Sequence, residues 1–172
     1  QSPSSAASDV YKRQSLDSDP CLRRSTMTEF QPLCQTLQDL WYAEIPLSKA
    51  MSMQIVSFDG HELVTEATLA PNRNVHGTAF AGSLYAIAAL TGWGLVHLRL
   101  QLAGLEASIV IASGSIDYAC PVAETIRARS RLEDESHGMA ALRQKRKGRF
   151  SVNTDILLAD GASASALSLI HI

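Results

Sequence analysis

The sequence predicts an α+β fold, one long helix embedded in an antiparallel sheet of about five to six strands. Three observations carry that prediction. The stretch Ala79 to Leu98 has no acidic residue, Lys or Arg, and continues to about Leu102 as one apolar and small-residue run. Before it, Met53, Ile55 and Phe58 lead into Asp59-Gly60, a strong hairpin dipeptide. After it, Thr125 to Glu133 alternates strictly: Ile126, Ala128, Ser130 and Leu132 fall on one side, Arg127, Arg129, Arg131 and Glu133 on the other. That alternation belongs to a sheet with one wet face.

The chain has 172 residues, 46% of them apolar and 19% charged, with a net charge of -2. This is the composition of an ordinary globular domain with room for a real core. The slight negative charge argues against general nucleic-acid affinity. Cys21, Cys34 and Cys120 are odd in number and irregularly spaced, so neither a disulfide framework nor a metal site is expected. The polar N-terminus lacks the apolar core of a signal peptide, which makes the cytoplasm the expected compartment.

Residues 1–26 are rich in Ser, Asp and Arg without apolar periodicity and are expected to be a disordered or non-native leader, with Met27 as the start. The strings SAASDVYKRQ (Ser5 to Gln14) and LSLIHI (Leu167 to Ile172) resemble translated sequencing-adapter read-through. The expected domain is therefore 27–166, with 167–172 as a non-native tail.

Within that domain, Phe30, Leu33, Leu37, Leu40 and Trp41 fall on one helical face, with Pro32 in the first turn. Pro46 ends the pattern, and Pro46 to Met51 reads as a further helical turn. His61 to Leu69 is the return strand of the hairpin. The long helix is expected over 78 to about 102, with Asn72, Asn74 or Thr78 as N-cap. It is long enough to cross a bilayer. Its Ala, Gly, Ser and Thr content and the strand patterns on both sides predict a core helix instead. Gly82, Gly92 and Gly94 would each cost about 0.8–1 kcal/mol in an exposed helix; they are better explained by a sheet or second helix lying against the backbone. Gly104 is the helix stop. Ser108 to Tyr118 reads as a strand, Ser136 to Lys147 as a short helix, and Arg149 to Leu158 as a strand ending at Asp160-Gly161. One sheet edge is left open, which favours extension of the sheet in a dimer.

The segment Asn74, Gly77-Thr78, Phe80, Gly82-Ser83-Leu84-Tyr85 and Gly92-Trp93-Gly94, together with IPLSKAM (Ile45 to Met51) and IDYACPV (Ile116 to Val122), resembles the putative thioesterase family of the hotdog fold, a domain also found C-terminal to GNAT acetyltransferase domains. The resemblance runs from about Leu37 to Gly161. It implies a hotdog fold, a homodimer or dimer of dimers, and an acyl thioester ligand on CoA or a carrier protein. CoA would enter only as part of the substrate, with no further cofactor, metal, nucleic acid or membrane partner. It further implies that the thioester carbonyl lies at the N-terminus of the central helix. Unpaired N–H groups and the positive helix end stabilise an oxyanion there.

In the better-known hotdog motif NxxGxxHGG, an Asp or Glu follows on the helix. Phe80 stands here at the position of that His, and no carboxylate occurs from Thr78 to Leu102. The candidates for activating water or attacking the ester are therefore Asn74, His76, Thr78, Ser83 and Asp117, with Tyr85 and Glu66 as further possibilities. Gly77, Phe80, Ala81, Gly82 and Tyr85 are the expected substrate-binding positions. Four of the catalytic candidates have a plainer role: an Asx-turn for Asn74, an exposed loop position for His76, a backbone hydrogen bond for Ser83, and a solvated strand-end acid for Asp117. The run Arg143 to Arg149 can hold CoA phosphates, touch nucleic acid or form a solvated face. A non-catalytic acyl-thioester binder and a dehydratase are the competing functions; His76 is out of register for the latter.

Overall fold

The computed structural model describes residues 29–171. The expected leader at 1–26 and the start at Met27 lie outside the described residues. Helix α1 (Gln31–Glu44) buries Leu37 and Trp41, two positions of the predicted apolar face. A short α2 (Pro46–Ala50) follows, fastened by the Ser48 hydroxyl, which donates to Trp41 O at 3.0 Å. Strands β1 (Met53–Phe58) and β2 (Glu62–Ala67) form the predicted hairpin. At its turn Asp59 Oδ1 accepts from the N–H groups of His61 and Glu62, and Gly60 supplies φ +93°.

Helix α3 (Ala81–Leu102) is followed by β3 (Ile111–Tyr118), β4 (Ile126–Leu132), helix α4 (Ser136–Arg143), β5 (Phe150–Leu157) and β6 (Ser163–His171). The six strands form one antiparallel sheet in the order β1-β2-β4-β5-β6-β3. The α+β expectation therefore holds, with the long helix packed along the inner face of the sheet. In β4 the inward residues are Ile126, Ala128 and Ser130, while Arg127 and Arg131 face outward. Ser130 stays inside because its hydroxyl shares a 2.6 Å hydrogen bond with Thr154. On the outer face Arg127 pairs with Glu66, and Arg131 with Glu62.

Helix α3 is a core helix, as predicted: Leu84, Ile87, Leu95, Leu98 and Leu100 are all buried. Its glycines permit that depth. A Cβ at Gly92 would stand 3.2 Å from Val152 of the sheet, and one at Gly94 would stand 2.5 Å from the Trp41 ring of α1. The helix backbone thus lies between a sheet and a second helix.

Two boundaries differ from expectation. Helix α3 begins at Ala81, not 78, because the chain is held extended as far as Phe80 (φ −69°, ψ 132°) by the hydrogen bonds from Ala79 N to Val122 O and from Phe80 N to Asn72 O. The domain limit at 166 also falls inside an element. Strand β6 runs to His171, pairs with both β5 and β3, and buries Leu167 and Leu169. The turn at Asp160-Gly161 (Gly161 φ +84°) is thus a hairpin joining β5 to β6.

The two sheet edges are unequal. Along β1, Gln38 and Tyr42 of α1 cover the edge: Ile55 N donates to Gln38 Oε1 at 2.7 Å, and Tyr42 Oη donates to Met53 O at 2.7 Å. Among the described residues, strand β3 is paired only with β6, and seven of its eight residues are exposed. This is the open edge.

Candidate active site at the start of the central helix

Ahead of α3 the chain folds into a tight loop organised by Asn74. Its Oδ1 accepts from His76 N at 2.8 Å and Thr78 N at 3.2 Å. Its Nδ2 donates to Thr78 Oγ1 at 2.9 Å and Ala79 O at 3.2 Å. Gly77 takes φ +82° at the tip, a left-handed conformation that suits glycine. Asn74 and Thr78 are thus engaged with the loop itself, and the structure gives them the organising role.

Asn72, expected only as an N-cap type, matters more than the sequence suggested. It is buried, and its Nδ2 donates to Met51 O and Thr68 O, both at 2.8 Å. Its backbone carbonyl receives the Phe80 N–H at 2.7 Å. The loop is thereby tied at its base to the end of α2 and to the segment after β2. Pro71-Asn72 carried no signal distinguishing this anchor from an ordinary loop residue.

None of Asn72, Asn74 and Thr78 caps α3. The N-cap is Phe80, without a side-chain cap hydrogen bond, and the first intrahelical bond runs from Leu84 N to Phe80 O at 3.0 Å. The N–H groups of Ala81, Gly82 and Ser83 therefore lack a partner among the described residues. Ala81 and Gly82 are exposed and Ser83 is half-buried. The helix thus presents a cluster of free donors, with the positive end of its dipole behind them.

Around this terminus stand Phe80, 56% exposed, Tyr85, half-buried, and Tyr118 at the end of β3, 47% exposed. Tyr118 was not among the residues singled out from the sequence, although it lies inside the IDYACPV motif. Its hydroxyl donates to Ala81 O at 3.0 Å. Burial, and then the neighbouring Tyr85, push its phenol above the usual pKa. The Tyr85 hydroxyl lies over Gly114 of β3, where a Cβ would come within 2.8 Å of it. Gly82 has a different neighbour from the one expected. A Cβ there would run into the Phe80 ring, so that ring occupies the space expected to be kept for a ligand.

The remaining candidates are dispersed. His76 is exposed in the loop, and its ring makes no hydrogen bond among the described residues. Ser83 Oγ likewise has no partner among them, and so lacks the backbone hydrogen bond that was its plainer reading. Asp117 lies on the outer face of the sheet, in a hollow shared with Ser115, Arg131 and Asp155. Period-two alternation places it on the side of β3 opposite Tyr118. Glu66 is likewise on the outer face, paired with Arg127. Neither carboxylate put forward from the sequence is therefore beside the helix terminus of its own chain.

A long central helix wrapped by an antiparallel sheet, its bare N-terminus opening on a polar loop, defines a hotdog-fold protein of the thioesterase type. The chain belongs to the family described as putative thioesterase (yiiD_Cterm), whose model matches residues 34–167. The crystal structure of a putative thioesterase from Shewanella oneidensis is 34% identical, with a TM-score of 0.77, covering 82% of this chain and 96% of that one. A Chlorobaculum tepidum protein of unknown function is 28% identical, with a TM-score of 0.75, covering 81% of this chain and 92% of that one. A thioesterase from Haemophilus influenzae, 16% identical with a TM-score of 0.63, covers 81% of this chain and 90% of that one and shares the fold.

Proposed function

We propose that the chain hydrolyses an acyl thioester, carried on CoA or on a carrier protein, at the N-terminus of α3. The observation that carries this reading is the uncapped, accessible first turn, where the free N–H groups of Ala81, Gly82 and Ser83 converge with the helix dipole. A thioester carbonyl seated there develops negative charge as water adds to its carbon, and preorganised donors stabilise that charge more than they do the ground state. Collapse of the tetrahedral adduct breaks the C–S bond. The carboxyl product keeps the water oxygen, and the proton lost by water ends on the departing thiolate or on the solvent. The protein's task is then to orient the ester and water and to accept that proton transiently. Among the described residues, His76 in the loop and Ser83 and Tyr85 in the opening turns of the helix have side-chain polar atoms without a hydrogen-bond partner.

The exposed edge of β3 supports a homodimer formed by extending the sheet, with the site lying close to that edge through Tyr118. The working ligand is an acyl thioester in the cytoplasm, CoA serves only as part of the substrate, and no metal takes part.

A second reading is favoured by one observation: the helix-side terminus has neither Asp117 nor Glu66 beside it. Under that reading the same donors hold an acyl thioester without hydrolysing it. Thiol release from a panel of acyl-CoA chain lengths, assayed with the full 172-residue chain, separates the two. Turnover well above the uncatalysed rate on at least one chain length is expected. Saturable binding of the panel with no thiol release on any member would establish the binder.

A further inference from the structure

We propose a second ligand site, for a long-chain carboxylate such as a free fatty acid, in the groove at the C-terminal half of α3. This does not rest on the thioesterase reading. The groove has a volume of about 390 Å³, within the range of small-molecule sites. Its walls are Val96 and Leu100 of α3, Ile109 and Val110 before β3, Leu142 of α4 and Phe150 of β5. Val96 lies 15 residues beyond Ala81, roughly 22 Å along the helix at 1.5 Å per residue, so the groove is separate from the first turn of α3.

The rim is cationic. Lys145, Arg146 and Lys147 line the groove, all three are exposed, and none forms an ion pair with a carboxylate among the described residues. Apolar walls and a cationic mouth fit an acyl chain with an anionic head. The carboxylate would meet Lys145 as a point charge and Arg146 through its planar fork. A nucleotide fits the same rim less well, because Ser108 is the sole hydroxyl or amide side chain lining the groove and cannot by itself recognise a base and ribose.

The backbone supplies an independent observation. Helix α4 ends in a Schellman turn: Arg146 N donates to Ala141 O at 2.9 Å and Lys145 N to Leu142 O at 2.8 Å. Its C′ residue takes φ +56°, a position that glycine fills at least cost, yet Lys145 stands there. The turn folds the chain back so that the three cations border the apolar groove. A charged side chain is thus kept where conformation alone would favour glycine.

The test is calorimetric titration of the full chain with dodecanoate below its critical micelle concentration. Lys145→Gly/Arg146→Ala is titrated alongside, with dodecyltrimethylammonium as the charge-reversed probe and CoA as competitor. We expect saturable dodecanoate binding that weakens at least tenfold in the double variant. Its melting temperature should be equal to or above that of the parent, because Lys145→Gly relieves the left-handed residue. The cationic amphiphile and CoA should not compete. As a second variant, Leu142→Glu should weaken dodecanoate similarly by placing a like charge in the wall. Unchanged affinity in both variants, no saturable binding, equal binding of the cationic amphiphile, or displacement of dodecanoate by CoA would each overturn the proposal.

Discussion

Asn74 satisfies four loop partners with one amide, and this decides what its loss should do. Asn74→Ala frees the N–H groups of His76 and Thr78, and the expected cost is about 1–3 kcal/mol of stability. Turnover should fall because the loop before Phe80 loses its shape. His76→Ala, by contrast, removes an exposed ring that makes no hydrogen bond among the described residues. If His76 carries the proton, kcat should fall while the melting temperature stays within about 1 °C of the parent. Measuring both quantities on the same preparations distinguishes an organising residue from a chemical one.

The residue scale is also where the sequence was least legible. Asn72 and Asn74 are the same residue type two positions apart, and only the first one's hydrogen bonds to the carbonyls of Met51 and Thr68 single it out as the anchor. Tyr118 acquires its position through strand pairing, which brings the end of β3 to the start of α3; no local pattern shows that. The Phe80 ring over Gly82 is likewise a product of the extended N-cap, not of the glycine alone.

Among elements, α3 was the most legible, because a long run without charge, studded with glycine, has few other solutions in a domain with alternating strands on both sides. Its start was not legible, since polar residues at 72, 74 and 78 all look like caps while the true N-cap is an aromatic. That detail permits a clean perturbation. Ala81 is the first helical residue, follows an extended Phe80, and has an N–H without a partner, so proline is tolerated there. Ala81→Pro deletes one donor while leaving the helix in place. If that donor serves the oxyanion, kcat should fall by about 100- to 1,000-fold, with the melting temperature held or raised. A small effect on kcat would leave the oxyanion to Gly82 and Ser83.

Further along α3, Gly94→Ala gains about 0.8–1 kcal/mol of helix propensity. It also places a methyl 2.5 Å from the Trp41 ring and 3.0 Å from Leu63. The overpacking cost of about 1–3 kcal/mol should win, giving a net loss in chemical denaturation. Gly104→Ala, by comparison, meets no neighbour but a left-handed φ of +64°, so its cost is conformational alone.

For the molecule as a whole, acid sensitivity follows from one buried and one half-buried histidine. His171, at the end of β6, is fully buried with neither ring nitrogen hydrogen-bonded among the described residues, and burial lowers its pKa to about 4 from an ordinary 6.5. His97, stacked on Trp93, is lowered by the same cause. The unfolded chain therefore binds protons before the folded one does. The neutral-histidine stability is fully present above pH 6.5 and is lost as pH falls toward 4. For His171 the loss is about 2 kcal/mol at pH 5. Urea midpoints at pH 7.5 and 5 should differ accordingly, and His171→Leu should reduce that difference. This dependence was outside the sequence reading, which set residues 167–172 apart from the domain. The first five strands, the first hairpin and the wet face of β4 were legible, because each rests on a local period or dipeptide; β6 was not read as a strand. The covering of β1 by α1 was not, since it depends on Gln38 and Tyr42 reaching a strand formed 11 to 17 residues later.

The free donors at the start of α3 are the central claim for the molecule. They are tested most directly by a crystal structure with an acyl-CoA analogue in which the thioester sulfur is replaced by methylene, leaving an unreactive ketone. The carbonyl oxygen is predicted to lie about 2.7–3.1 Å from at least one of the backbone nitrogens of Ala81, Gly82 and Ser83, with the Phe80 ring displaced or packed against the acyl chain. A bound analogue whose carbonyl lies away from that turn, with all three N–H groups still free, would contradict it.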